Sequence, residues 1–184
     1  IAGAYTVCEW LGIKRQEFYE SISDFKSSIR YLEFVKSDNG SVVYQDFAHT
    51  PTKLRTSIHA VKEQFSKSKL LTVIQLNPYD VLSEQKLELS RDSMLESADA
   101  TVFLNKNSIK EKNIVLSNVV EKIKDTFNHP KLQVFTDLTE LETYLDVFNS
   151  QGVNLLVMGA NNNSIINIMS FADKFLSKLV KNLR

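Results

Sequence analysis

Three features of the 184-residue sequence predict an α/β fold: a Rossmann-like, mostly parallel sheet with helices on both faces and an antiparallel hairpin at one edge. In "IRYLEFVKSDNGSVVYQDF", two β-rich runs flank Asn39-Gly40, a dipeptide that favours the tight turn of a hairpin. Beyond it, strand-like and helix-like segments alternate. The runs "LLTVIQL" and "NLLVM" are apolar at successive rather than alternate positions, as strands are when helices cover both faces of a parallel sheet.

Residues 2–11 and 14–23 have helical spacing and are separated at Gly12, so two short helices open the chain. After the hairpin, helix 52–65 leads to strand 69–76, and helix 84–98 to strand 100–104. Helix 117–127 then leads to strand 132–135, and helix 138–148 to strand 153–159. A last helix over about residues 164–183 shows Ile165, Ile168, Met169, Ala172, Phe175, Leu176, Leu179 and Leu183 on one broad face. No internal repeat or low-complexity tract interrupts the series.

Composition narrows the function classes. Apolar residues make up 43% of the chain, enough for one sizeable core with an attached fragment of a second domain. Lys plus Arg and Asp plus Glu both total 22, so no global field recruits nucleic acid or an anionic membrane. The lysine runs are interspersed with acidic residues and lack interleaved aromatics, which points to solvated faces. The lone Cys8 can form no intrachain disulfide and reads as a small core hydrophobe, consistent with a cytoplasmic protein. No run approaches the roughly 18 apolar residues of a membrane span.

Chemistry is expected where strands end and helices begin, because helix N-termini and neighbouring loops converge there. The sharpest such corner is "DFAHTP". Thr50 suits the N-cap and Pro51 the first helical position, so strand passes abruptly to helix. Alternation puts Val42, Tyr44 and Asp46 on one face of the strand and Val43 and Gln45 on the other. A carboxylate at this edge can accept paired hydroxyl hydrogen bonds from a ribose, and His49 beside a helix start suits a phosphate or carboxylate. The alternative is that Asp46 caps backbone amides and His49 is an ordinary turn residue.

Two further corners are "QLNPYDVLSE", with Asn77, Tyr79 and Asp80, and "VMGANNNSI", with Gly159, Asn161 and Asn162. Each also reads as a capped turn, Ser83 being the N-cap of the first. His59 and His129 have no reason to converge with His49, so no metal site is expected.

The run "DFAHTPTKLRTSI" resembles the corner that opens the C-terminal domain of Mur ligases, which read roughly Asp-Tyr/Phe-Ala/Gly-His-x-Pro before a helix. Upstream, "IAGAYTVCEWLGIKRQEFYESISDFKSSIRYLEF" resembles the end of that family's central domain and its linker. Together these likenesses cover most of the chain. "KLLTVIQLNPYDVLSE", "LQVFTD" and "NLLVMGANNN" are most similar to the murein peptide ligase branch.

The resemblance implies an ATP-dependent carboxylate-amine ligase. It would join UDP-N-acetylmuramic acid to L-alanyl-γ-D-glutamyl-meso-diaminopimelate through an acyl phosphate, with Mg2+ neutralising the nucleotide's phosphates. It further implies that residues 1–29 are a remnant of the central domain and linker, and that residues 30–184 are the C-terminal domain. This portion, inactive by itself, would work with N-terminal and central domains that hold the phosphate loop and most of the ATP and Mg2+ contacts. Asp46, His49 and Arg30 would serve the nucleotide; Asn77, Tyr79, Asp80, Gly159, Asn161 and Asn162 would lie beside the peptide. No catalytic or metal-binding residue is assigned to this portion.

The sequence departs from the family pattern at Tyr31, where a second arginine is expected, at Ser27, where glycine is usual, and after Pro78, where many relatives carry arginine. A degenerate binding module that keeps the fold without ligase chemistry is the alternative. A flavodoxin-like or receiver-like domain would need an acidic cluster or flavin loop at the first strand's end, where only Asp46 stands.

Overall fold

The structure, a computed structural model, describes residues 2–23, 31–38, 40–76, 78–104, 115–147 and 152–159. Helices α1 (Ala2–Trp10) and α2 (Arg15–Ser21) open the chain, and strands β1 (Glu33–Asp38) and β2 (Ser41–Asp46) form the expected antiparallel hairpin. Gly40 has φ +80°, the left-handed backbone that a tight hairpin turn demands. There follow α3 (Pro51–Gln64), β3 (Lys69–Gln75), α4 (Pro78–Leu82), α5 (Glu84–Ser93), β4 (Asp99–Phe103), α6 (Leu116–Phe127), β5 (Leu132–Phe135), α7 (Leu138–Val147) and β6 (Val153–Gly159). The final helix expected over 164–183 lies outside the described residues.

The sheet runs β1-β2-β6-β3-β4-β5, parallel throughout except for the β1–β2 pair. From β2 through β5 the chain steps across the sheet in one direction, with α3, α5 and α6 on one face. It then reverses from β5 to β6 and carries α7 on the other, as right-handed crossovers require. This reversal brings the carboxyl ends of β2, β6 and β3 side by side.

Each face has its own core. Leu54, Ile58 and Val61 of α3, Leu87 of α5, and Val119, Ile123 and Phe127 of α6 pack on Tyr44, Leu70, Ile74, Val102, Leu156 and Met158. Leu141 and Leu145 of α7 pack on Val43, Leu71, Val73, Phe103, Leu155 and Val157. Successive residues of β3 and β6 thus serve opposite cores, which explains their unbroken apolar runs. Burying one such Leu, Ile or Val contributes about 1.5–3 kcal/mol. Asn154 is the polar exception in β6: it is 1% exposed, and its Oδ1 accepts the Val42 N–H at 3.0 Å.

Two boundaries differ from the sequence reading. Helix α5 ends at Ser93 rather than 98, because Ala98 N–H already donates to Leu70 O at 2.9 Å and the chain must straighten into β4. Residues expected to form only an Asn-Pro turn include the short helix α4, which starts at Pro78. Another expectation fails at the chain's start: α1 buries no residue, so Cys8 is half-buried rather than a core hydrophobe. Phe18 of α2 is 5% exposed and has Tyr5 and Tyr19 against it, at ring-centroid distances of 5.3 and 5.5 Å. Among the described residues no helix is long and apolar enough to cross a membrane.

Candidate functional site

The edge formed by the carboxyl ends of β2, β6 and β3 carries the site. Asp46 is the last residue of β2 and lies opposite Met158 of β6 in the parallel register. It belongs to the Val42–Tyr44–Asp46 face, so its side chain reaches toward α3, where the Ser57 hydroxyl donates to Asp46 Oδ2. Ser57 is 6% exposed and stands in the apolar stripe between Leu54 and Ile58. Among the described residues Asp46 is thus engaged by a side chain of the helix it precedes. A carboxylate offers about four lone-pair sites, so this bond leaves capacity for further donors.

From Asp46 the chain turns through Phe47 and the buried Ala48 to His49, Thr50 and Pro51. Thr50 is the N-cap residue of α3 and Pro51 the first helical residue, but the Thr50 side chain makes no capping bond. His49 is exposed, and its Nδ1 lies 2.9 Å from Phe47 O, where Nδ1–H donates. In the neutral ring that leaves Nε2 as an acceptor. The corner is tied down from outside by Ser93 of α5, whose Oγ lies 2.7 Å from Pro51 O and 2.8 Å from Leu89 O.

His49 and Thr50 line a cleft of about 210 Å³ between the start of α3, the end of β3, and helices α4 and α5. Ala48, Pro51, Leu54, Ile74, Leu76 and Leu89 form much of its wall. Among the described residues its charged groups are Asp80 and Lys86, whose Oδ1 and Nζ are 2.8 Å apart. Gly159 closes β6 beside Gln75, which also lines the cleft. A Cβ on Gly159 would stand 3.1 Å from Gln75 Cβ, so any larger residue crowds that strand end.

The fold therefore brings His49 and Asp80 to one cleft, with Asp46 and Gly159 on the adjoining strand ends. Tyr79 lies within α4, and its side chain is outside what the structure describes. Arg30, Asn77, Asn161 and Asn162 lie outside the described residues. His59 pairs instead with Glu96 at 3.3 Å, and His129 Nε2 lies 3.3 Å from Ser97 O, so neither joins His49. Ser57, Lys86 and Ser93 were not singled out from sequence. A polar residue in the apolar stripe of α3 was a signal for Ser57; the other two depend on contacts between helices.

Cleft, strand ends and helix start lie together at the carboxyl edge of an α/β sheet, the edge at which open sheets of this class offer ligand crevices. Residues 32–161, more than half of the chain, match the family described as "Mur ligase, glutamate ligase domain", and the chain belongs to that family. A UDP-N-acetylmuramate–L-alanine ligase of Sulfurihydrogenibium sp. (strain YO3AOP1) is 26% identical over 175 residues, covering 94% of this chain and 37% of the relative. Among solved structures, the UDP-N-acetylmuramate-alanine ligase of Thermotoga maritima has a TM-score of 0.64 at 18% identity, covering 96% of this chain and 36% of that one. A murein peptide ligase of Psychrobacter arcticus 273-4 has a TM-score of 0.63 at 16% identity, covering 87% and 32%. At such identities the two structures show a shared fold. The chain spans about a third of the length of these relatives.

Proposed function

We propose that this chain is the C-terminal domain of an ATP-dependent ligase that joins UDP-N-acetylmuramic acid to an alanyl amine in the cytoplasm, in the murein peptide ligase manner used for tripeptide recycling. The observation that carries the proposal is the Asp46–Pro51 corner, set at the carboxyl edge of the sheet within the family-matched segment. ATP with Mg2+ would supply the phosphoryl group that activates the sugar's carboxylate as an acyl phosphate. Asp46, steadied by Ser57, would accept the ribose hydroxyls, with Arg30 and His49 nearby for the nucleotide. Mg2+ would be held mainly by the central domain. Asp80 with its cleft, Asn77, Tyr79, Gly159, Asn161 and Asn162 would face the amine substrate. The domain's task is to close over the bound nucleotide and exclude water from an acyl phosphate that water would destroy.

ADP release by the full-length protein, dependent on UDP-N-acetylmuramic acid and an alanyl amine, tests this reading; its absence from folded protein would refute it. The second reading, a degenerate binding module, is favoured by Tyr31 at the expected arginine position. An intact phosphate loop encoded upstream of Ile1 argues for the ligase, and a ruined one for the module.

Residues 1–29 are proposed as the end of the central domain. Trp10 and Leu11 are 82% and 75% exposed, apolar surface suited to cover by the rest of such a domain. Trp10 is the sole tryptophan of the 184 residues, so emission of this chain should be solvent-like. In a version extended upstream, with any added tryptophan replaced by phenylalanine, the Trp10 emission should shift to the blue. Equal spectra would count against the domain assignment.

A further inference from the structure

Resting on the ligase reading above, we propose that Gln45 and Glu33 are positioning residues: their hydrogen bond fixes the chain entering the sheet against the strand end that carries Asp46, so that motion of the incoming chain carries the Asp46 corner with it. β1 runs antiparallel to β2, and its first residue, Glu33, lies opposite Gln45. The chain therefore enters the sheet at the same carboxyl edge where Asp46 stands, one residue beyond Gln45. Whatever the preceding domains hand to this one along the chain arrives there first.

Backbone pairing alone holds this entry point weakly. Glu33 with Gln45 and Phe34 with Tyr44 are in register, but pairing then shifts and resumes only at Lys36 with Val43. These first two rungs stand apart from the rest of the hairpin, so cross-strand side chains decide how firmly they hold. On one face the Phe34 ring meets Tyr44 edge-on, with centroids 6.0 Å apart at 77°, yet Phe34 remains 55% exposed and its grip is partial. On the other face Gln45 Nε2 donates to Glu33 Oε2 at 2.6 Å, and both residues are half-buried. A hydrogen bond to an ionised acceptor is roughly twice as strong as one between neutral groups. Strand formation by itself does not call for this pair: Glu is depleted in strands, and Gln45 follows the apolar Val43 on its face. Asp46 has its own anchor in Ser57, so loss of the Gln45–Glu33 bond should loosen the incoming chain while leaving the carboxylate in place.

The test has two arms. In the 184-residue chain, the side-chain amide NMR signals of Gln45 should stand apart from those of solvent-exposed glutamines and move to that position in Glu33→Ala. Wild-type signals already at the exposed position overturn the proposal and leave the ligase reading standing. In the full-length protein, supplied with ATP, UDP-N-acetylmuramic acid and an alanyl amine, Glu33→Ala with an unchanged melting temperature should lower kcat for ADP release by about tenfold, within the hundredfold that a misplacement of about 1 Å can cost. Its KM for ATP should stay within about twofold of the wild type, because Asp46 keeps Ser57. Glu33→Gln combined with Gln45→Glu, in which a carboxamide again faces a carboxylate, should recover most of the lost kcat. Unaltered kcat in folded Glu33→Ala, a loss confined to KM for ATP, or no recovery in the folded exchanged pair each overturn the proposal. No ADP release by the folded wild type overturns the ligase reading, and this proposal with it.

Discussion

Replacing Asp46 with alanine in the full-length protein should raise the KM for ATP by about tenfold to a hundredfold, the equivalent of about 1.5–3 kcal/mol for hydrogen bonds to a charged acceptor. The loss should shrink when the ribose hydroxyls are absent from the nucleotide, since wild type and variant then lack the same contacts. Ser57→Ala should give a smaller rise of about threefold to tenfold, because the carboxylate remains but its Ser57 anchor is gone. ATP kinetics unaltered in Asp46→Ala would remove the nucleotide role from this corner.

Ile58→Ala should lower the unfolding free energy of the 184-residue chain by about 2–5 kcal/mol, read as a shift in the urea midpoint at constant slope. Ile58 is 0% exposed and joins α3 to the core shared with Tyr44, Ile74 and Leu156, so a cavity there has no solvent to fill it. Lys53→Ala, at an exposed position of the same helix, should change stability by no more than about 0.5 kcal/mol. The two variants together separate packing from the mere presence of a substitution on α3. A small effect at Ile58 would mean that α3 is not held as the structure shows.

Periodicity was enough to read most of the architecture. The apolar runs of β3 and β6, the Asn39-Gly40 turn signal and the Thr50-Pro51 helix start are local features with one dominant solution each. Where α5 stops was less legible, because it is settled by Ala98 reaching Leu70, a partner far away in sequence. Strand order was likewise open, since nothing local says that β6 inserts between β2 and β3.

At the site, the position of Asp46 followed from strand alternation, but its partner did not. Ser57 meets Asp46 only because helix α3 folds back over the strand that precedes it. The Asp80–Lys86 pair was invisible for a similar reason, requiring α4 and α5 to be set against each other before a charge on one can find the other. The family resemblance pointed to the corner, whereas its side-chain partners come from contacts between elements.

The β1–β2 register slips between Phe34 and Lys36, so two stretches of hairpin meet with one residue out of step. Since β1 is the outermost strand on that side among the described residues, the slip kinks that rim, and Lys36 adds a charge midway along it. A straight, uncharged rim would invite a second molecule to continue the ladder, and the parallel strands behind it would become the seed of an aggregate. The distortion acts as a full stop at the end of the sheet, keeping a strongly apolar set of strands from growing past its own chain.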